Sequence, residues 1–260
     1  MTTIVCQSYR DHDVPAWIAT CLASVRDWTE RQGWAYCFIG DALFERLPDW
    51  YRQKTRERPV VATDLARLLL AQECLQAGYE RAIWLDADVL VFAPARLAME
   101  TPQGYAFGRE VWIQRQRQQL RAYRQVHNAV CAFARDNPFL AFYIHACQRV
   151  VRRHQGNMMP QLVGPKLLSA LDSWLALPAL PEVAMFSPLV NRDLLAGGGP
   201  ALSLHRQHAG STIGAANLSA STADRDWEGI RLTAADCDCL TARLLARGEA
   251  LVNGSPDSGG

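Results

Sequence analysis

Two aspartates separated by one residue are the most informative chemical feature of the sequence. Asp86 and Asp88 lie inside the apolar run 81–92, between AIWL and VLVF. Carboxylates with such flanks need a cation or hydrogen-bond donors to offset their desolvation. At the carboxyl end of a strand, the pair could hold a divalent cation together with substrate phosphate. The alternative is a pair of turn aspartates that cap the next segment.

A second pair of charged residues is predicted to lie beside these aspartates. Asp64 and Arg67 are three residues apart near the amino end of a predicted helix, Pro59 to about Ala77. A helix that connects two parallel strands runs antiparallel to them, so its amino end returns to the edge where strand 81–85 finishes. We therefore expect all four side chains at one rim. Taken alone, Asp64 and Arg67 could equally be an ordinary surface ion pair.

Strands and helices alternate along the chain. Apolar periodicity, with Pro and Gly at the boundaries, predicts strands at 3–9, 34–40, 81–92, 104–109, 128–134 and 201–205. It predicts helices at 15–33, 59–77, 138–153, 165–175 and 233–247. Strands that are apolar on both faces indicate an α/β fold with a mostly parallel sheet, helices on both faces and a less regular second half. We expect a single domain over 1–252, a mobile segment over 197–222 and a disordered tail over 253–260.

Composition narrows the possible partners. The 27 basic and 26 acidic residues leave a net charge of +1, which gives no general electrostatic reason to bind nucleic acid. The start has no basic leader with an apolar run, and no stretch approaches the roughly 20 apolar residues of a membrane span. We expect a cytoplasmic protein without a transmembrane segment. The eight cysteines mostly sit in apolar segments and are expected to act as small hydrophobes.

The segment TDLARLLLAQECLQAGYERAIWLDADVLVF (63–92) resembles the aspartate core of the GT-A glycosyltransferases. Weaker matches to glycosyltransferase family 32 are HNAVCAFARDNPFL (127–140), VGPKLL (163–168) and LHRQHAGST (204–212). That family contains initiating α-mannosyltransferases and capsular polysaccharide enzymes, and it is related to the glucosylating domain of clostridial toxins. The resemblance implies a GT-A, Rossmann-like fold and a hexosyltransferase in polysaccharide biosynthesis.

The resemblance also implies roles for individual residues. Asp86, Asp88 and His205 or His208 would bind Mn²⁺ or Mg²⁺. The donor sugar would contact Asp64, Arg67 and Asn128, which form the catalytic set. The nucleotide-sugar site would also include Gln7, Ser8, Tyr9, Asp86 and Ser211.

The donor implied is a nucleotide sugar, a UDP-sugar rather than a GDP-sugar, and transfer would retain the anomeric configuration. The acceptor could be a carbohydrate, a lipid-linked molecule or a small molecule. The arginines between Arg109 and Arg124 could bind a phosphorylated acceptor or form a solvated helix face.

Two other functions stay open. A haloacid-dehalogenase-like phosphatase also uses aspartates separated by one residue after an apolar strand, although normally on the first strand. A catalytically silent sugar-nucleotide-binding protein is the other, because Thr212 stands where the resembling family has a Trp.

Overall fold

The computed structural model describes residues 1–254. The strands are β1 (Thr3–Ser8), β2 (Ala35–Ile39), β3 (Arg81–Leu85), β4 (Val89–Val91), β5 (Tyr105–Gln116), β6 (Gln119–Ala134), β7 (Ala179–Leu180), β8 (Val183–Met185) and β9 (Ala215–Asn217). The α-helices are α1 (Ala16–Arg31), α2 (Asp49–Lys54), α3 (Pro59–Gln76), α4 (Pro138–Arg153), α5 (Pro165–Leu175), α6 (Pro188–Ala196), α7 (Pro200–Ala209) and α8 (Ala234–Asn253).

A six-stranded sheet organises the fold, with the order β2-β1-β3-β6-β5-β7. Strands β2, β1 and β3 pair in parallel, β6 runs antiparallel to its neighbours β3 and β5, and β7 is parallel to β5. Only β6 reverses direction, so the predicted α/β fold with a mostly parallel sheet is confirmed. A smaller sheet has the order β4-β9-β8.

Helices cover both faces of the main sheet, as predicted. Ile4 and Cys6 of β1 pack in the same core cluster as the apolar residues of α3 and α4. Val5 points the other way and shares a cluster with Val25 and Trp28 of α1. The side-chain alternation of a strand thus gives β1 two buried faces. None of the helices between residues 1 and 254 combines the length and apolar composition required to cross a membrane.

The apolar run 81–92 forms two strands instead of the single strand predicted. The chain turns at residues 86–88, where the Val89 amide donates to the Asp86 carbonyl at 3.0 Å. β3 then belongs to the main sheet and β4 to the smaller one. The aspartate segment therefore links two sheets.

The arginine-rich segment is a β-hairpin, so the predicted strands 104–109 and 128–134 were both too short and the helix interpretation was wrong. Strands β5 and β6 pair from Tyr105 to Gln116. Their turn is formed by Arg117 and Gln118, whose φ angles are 50° and 65°. Two consecutive residues with positive φ are typical of a tight hairpin turn that usually contains Asn or Gly. The arginine and glutamine at this turn gave no such signal.

The predicted strand at 201–205 is also wrong, because these residues lie in α7. Pro200 occupies the first turn, where its missing amide costs nothing, and Ala201, Leu202 and His205 form the buried side. His205 follows Ala201 by four positions and Leu202 by three, which is the spacing of residues on one face of a helix. Residues 197–222 therefore contain a helix and the buried strand β9 instead of the polar loop expected.

The predicted boundary at residue 253 falls inside α8. Asn253 ends this helix, and its side-chain Nδ2 donates to the Ile213 carbonyl at 3.0 Å. The rest of the predicted tail, apart from Gly254, lies outside the described residues.

Candidate functional site

Asp86 directly follows β3 and is bound to residues on the main-sheet side through one of its carboxylate oxygens. Trp84 Nε1 donates to Asp86 Oδ1 at 2.7 Å, and Arg67 Nη1 lies 3.0 Å from the same oxygen. Within the described residues, Oδ2 has no hydrogen bond. The side chain is 27% exposed. Desolvation raises the pKa of Asp86, while Arg67 and Trp84 oppose the rise.

Asp64, Arg67 and Asn128 form a buried network beside Asp86. Asp64 Oδ1 accepts from Asn128 Nδ2 at 2.7 Å and lies 3.2 Å from Arg67 Nη2. Arg67 Nη1 also donates to the Asn128 carbonyl at 2.5 Å. The side chains of Asp64 and Arg67 are 1% and 5% exposed, which rules out an ordinary surface ion pair. The crossover argument therefore placed this pair correctly at the rim of Asp86.

One oxygen of Asp64 has no partner in this network. Asp64 Oδ2 is buried without a hydrogen bond, and a Cβ on Gly164 would lie 2.7 Å from it. Burial raises the pKa of Asp64 to about 6, although Arg67 and Asn128 act against this rise. The segment before α5 thus packs directly on the network, and only glycine fits there.

Asp88 lies on the side of the smaller sheet and has neutral partners. Asn217 Nδ2 of β9 donates to its Oδ1 at 2.5 Å, and the Ala220 amide donates to its Oδ2 at 2.8 Å. Across residues 1–254, no basic side chain forms an ion pair with Asp88. Burial and repulsion by Asp86 raise its pKa to about 7, against these hydrogen bonds.

Asn217 is a site residue that sequence reasoning missed. It is separated from Asp88 by 129 positions, and it also accepts a hydrogen bond from the Ser219 amide at 2.8 Å. Its only local signal is a polar residue at the end of the short apolar run IGAAN. Such a signal does not identify a partner so distant in sequence.

Gln7 supports the aspartate turn from β1. Its Nε2 donates to the Asp86 carbonyl at 3.1 Å, and its Oε1 accepts from Tyr36 Oη at 3.0 Å. Gln7 is fully buried, so its amide holds the turn in place. Ser8 and Tyr9 are partly exposed just beyond it, and the Arg10 guanidinium lies 5.5 Å from the centre of the Tyr9 ring. Their contact with a nucleotide stays a prediction.

The structure does not bring the predicted histidines and aspartates together. His205 is buried in α7 with its ring edge-on to Phe186 at 5.2 Å between centroids, and neither ring nitrogen has a partner within the described residues. Burial lowers the pKa of His205 to about 4. The His208 carbonyl accepts from Arg124 Nη2 at 2.8 Å. Ser211 Oγ donates to the Pro181 carbonyl at 3.0 Å.

The donor atoms at the turn fit a divalent cation through two aspartates. In the part of the chain that the structure describes, no group of three or more His, Cys, Asp or Glu side chains is arranged to hold a metal ion. Two carboxylates are nevertheless enough for Mg²⁺ when substrate phosphate and water complete its shell. Asp88 lacks a cationic partner and Asp86 retains a free oxygen, so this pair could supply those ligands. The resemblance implied a metal ligand at His205 or His208, and His205 was preferred because a strand was predicted to end there; α7 takes the place of that strand.

Comparisons with known proteins give distant similarities. No family model matches the chain, and no curated protein matches it. Among solved structures, the chain is similar to a glycosyltransferase involved in glycosylation of the major capsid of PBCV-1, at 10% identity and a TM-score of 0.43, covering 92% of this chain and 98% of that one. It is also similar to mouse xyloside xylosyltransferase 1, at 10% identity and a TM-score of 0.45, with coverage of 85% and 98%. A third is the PaToxG glycosyltransferase, at 14% identity and a TM-score of 0.39, with coverage of 97% and 86%. These similarities are too distant to assign a function, which has to come from the site itself.

Proposed function

We propose that this protein is a glycosyltransferase that moves a sugar from a nucleoside-diphosphate sugar to an acceptor hydroxyl with a divalent cation bound at Asp86 and Asp88. The observation that carries the proposal is the uneven charge at the turn. Asp86 forms an ion pair with Arg67, which it shares with Asp64, whereas Asp88 has hydrogen bonds but no cationic partner among the described residues. A carboxylate that is held in place and lacks a counter-ion is suited to bind a cation at the carboxyl edge of a sheet.

The cation would supply the Lewis acid for the reaction. Departure of a nucleoside diphosphate builds negative charge on phosphate oxygens, and Mn²⁺ or Mg²⁺ would stabilise that charge. Asp88 and the free Oδ2 of Asp86 are the protein ligands in this proposal. Asn217 and the Ala220 amide orient Asp88, so its carboxylate stays in one geometry before the cation arrives.

Arg67 acts in this proposal as a positioning residue. Its guanidinium already contacts Asp64, Asp86 and the Asn128 carbonyl, which fixes both carboxylates relative to β6. The same guanidinium lies 5.1 Å from the centre of the Trp84 ring. Because this buried guanidinium makes all of these contacts, it keeps the residues around the site in fixed positions. The sugar hydroxyls would then be recognised by Asp64 and Asn128.

Access to Asp64 depends on the Gly164 segment. Asp64 Oδ2 is the unpartnered oxygen of the network, and Gly164 packs against it. A sugar hydroxyl would reach this oxygen when residues around 163–165 move aside. Donor binding should therefore speed the hydrogen exchange of amides in that segment.

The acceptor side is proposed at the β5–β6 hairpin. β6 runs from the hairpin tip directly to Asn128, so the arginine-rich strands extend outward from the site. Arg115, Arg117, Arg121 and Arg124 are exposed on it. This arrangement favours an acceptor that carries negative charge, such as a phosphorylated or lipid-linked one. Retention of configuration and a UDP-linked donor complete the proposal and have their own tests below.

The first experiment identifies the donor. UDP- and GDP-sugars are compared by thermal shift with Mn²⁺ and with chelator, and donors that stabilise the protein are then followed for transfer or slow hydrolysis. We expect a UDP-sugar to stabilise the protein only with Mn²⁺. NMR of the anomeric proton in the product gives the stereochemistry. Stabilisation without hydrolysis or transfer would instead support a silent binding protein.

Asp88→Asn tests the metal assignment. Loss of a charged cation ligand should lower turnover by more than about 100-fold, while circular dichroism should show that the variant is folded. Asp49→Asn is the matched control, since that side chain is 94% exposed on α2. Wild-type turnover that survives exhaustive chelation would rule out the metal-dependent mechanism.

A further inference from the structure

Three cysteines from separate elements meet on one face of the main sheet. Cys6 and Cys37 are direct register partners on the parallel strands β1 and β2. Cys74 of α3 packs over them, with its Sγ 3.8 Å from the Sγ of Cys6. The three thiols are free. Cys37 follows Cys6 by 31 positions and Cys74 follows Cys37 by 37 positions, so they form no recognisable sequence motif.

The cluster has one accessible member. Cys6 and Cys74 are 2% and 8% exposed, whereas Cys37 is only partly buried. A solvent oxidant therefore reaches Cys37 first. Cys6 lies between the other two thiols, as the register partner of Cys37 and in contact with Cys74.

The electrostatic surroundings favour a thiolate at the accessible position. Hydrogen bonding with Cys6 lowers the pKa of Cys37 to about 6, with Arg46 acting in the same direction and burial opposing it. Hydrogen bonds with Cys37 and Cys74 raise the pKa of Cys6 well above its ordinary value. The pKa of Cys74 is also lowered, through Cys6 and less strongly Arg46, while burial, Cys37 and Glu73 act the other way. Because Cys6 has one S–H, it can stabilise only one of the two thiolates at a time. A thiolate is the nucleophilic form of cysteine.

We propose that Cys37, Cys6 and Cys74 form a peroxide-reactive thiol cluster that closes a disulfide between Cys6 and Cys74. The Cys37 thiolate attacks hydrogen peroxide: an S–O bond forms, the O–O bond breaks, and the departing hydroxide leaves as water after protonation. The Cys6 sulfur then attacks the Cys37 sulfenic acid and displaces a second water. Finally, the Cys74 thiolate attacks Cys6 and releases Cys37. Two thiols thus give two electrons to one peroxide.

Geometry selects Cys74 as the final partner of Cys6. A bridge between Cys6 and Cys37 would include the accessible cysteine, and exposed disulfides are the ones most prone to exchange. The contact from Cys6 to Cys74 runs between a strand and a helix, and its sulfurs have to close only from 3.8 Å.

The bridge would join two elements that carry the candidate site. Cys6 precedes Gln7, which holds the Asp86 turn, and α3 carries Asp64 and Arg67. The oxidation chemistry itself does not depend on the proposed transferase activity. It can therefore be tested on the thiols alone.

The test uses the full chain with Cys239→Ser, which removes the exposed cysteine of α8. One equivalent of hydrogen peroxide is added, free thiols are alkylated, and peptides are mapped by mass spectrometry without reduction. We expect a peptide pair joined through Cys6 and Cys74. Cys37→Ser should slow its formation at least about 10-fold, because the accessible thiolate is lost.

A second variant separates the steps. Cys74→Ala keeps an apolar helix former at a buried position and should stop the reaction at a Cys37 sulfenate, trapped by dimedone, or at a Cys6–Cys37 bridge. Cys21→Ser on the opposite face of the sheet is the control and should leave the rate unchanged. Circular dichroism verifies that each variant is folded. A Cys6–Cys74 bridge that forms equally fast in Cys37→Ser, or no disulfide in the cluster, would overturn the proposal.

Discussion

Asp86 and Asp88 are two positions apart, yet each belongs to a different region of the molecule. Asp86 is held by the main sheet, through Trp84 of β3 and Arg67 of α3. Asp88 is held by the smaller sheet, through Asn217 of β9 and the Ala220 amide. Helix α3, which packs on the main sheet, supplies a positive charge to Asp86, whereas β9 and the segment after it supply only neutral donors to Asp88. The turn between β3 and β4 creates this difference.

The difference separates positioning from cation binding. A carboxylate paired with a buried arginine is already compensated, whereas one that has only dipoles and a like-charged neighbour gains most from an added cation. The same logic explains why the pKa of Asp88 is raised to about 7 in the absence of metal. Changes that remove or exchange these partners should therefore have unequal effects on the two aspartates.

The largest effect on stability is expected when Arg67, the cationic partner of Asp86, is removed. Arg67→Met leaves two carboxylates without their cation, and breaking a buried pair in this way should lower the free energy of unfolding by about 3–5 kcal/mol. Denaturant unfolding at pH 7 measures the loss. Arg96→Met is the control: its pair with Glu249 is half-exposed on both sides, so its removal should cost about 1 kcal/mol or less. Equal losses in both variants would contradict the distinction.

Local sequence signals explain why the main-sheet half of this comparison was predictable. Pro15, Gly33, Pro59 and Gly78 mark helix ends within a few residues of where the structure has them. The crossover rule then placed Asp64 and Arg67 beside Asp86. These inferences need only short-range patterns and the geometry of one connection.

The half built on the smaller sheet could not be predicted in the same way. Its strands β4, β8 and β9 have three residues each, too few for an alternation pattern. The apolar run 81–92 hides a change of sheet, and ALSLH was assigned to a strand because its apolar residues suit either structure. Asn217 reaches Asp88 only through tertiary pairing. Long-range contacts between short elements leave little trace in a single sequence.

A smaller effect is expected when a carboxylate replaces the neutral partner of Asp88. Asn217→Asp keeps an acceptor for the Ser219 amide but loses the donor to Asp88 and adds a second repelling charge. Without metal, it should be destabilised by about 1–3 kcal/mol, the cost of a broken buried hydrogen bond. Mn²⁺ should restore more stability to this variant than to the wild type. Asn217→Ala, which adds no charge, should show no such extra rescue.

The pH dependence of stability distinguishes the aspartates more finely. The folded pKa of Asp88, about 7, lies above its ordinary value of 3.8, so the folded state binds more protons between these values. Stability from this group is therefore present at low pH and is lost as pH rises through 7. In chelator, the stability of Asp88→Asn relative to the wild type should therefore increase as the pH is raised from 4 to 8. A constant difference across that range would mean that Asp88 is not strained by its surroundings.

The smallest effect on the metal is expected at His205. Removing a residue that supports a metal ligand typically weakens metal binding about 10–100-fold, and loss of a ligand should cost at least as much. His205→Met should instead leave the apparent Mn²⁺ affinity unchanged, because the ring packs on Phe186 and no described aspartate contacts it. A separate readout tests its burial. The folded pKa of about 4 lies below the ordinary 6.5, so the wild type loses stability as pH falls through this window, and His205→Met should lose less. If His205→Met instead needs more Mn²⁺ to reach half-saturation at pH 7, His205 belongs to the metal site, and the cation has a second protein ligand on the same side of the turn as Asp88.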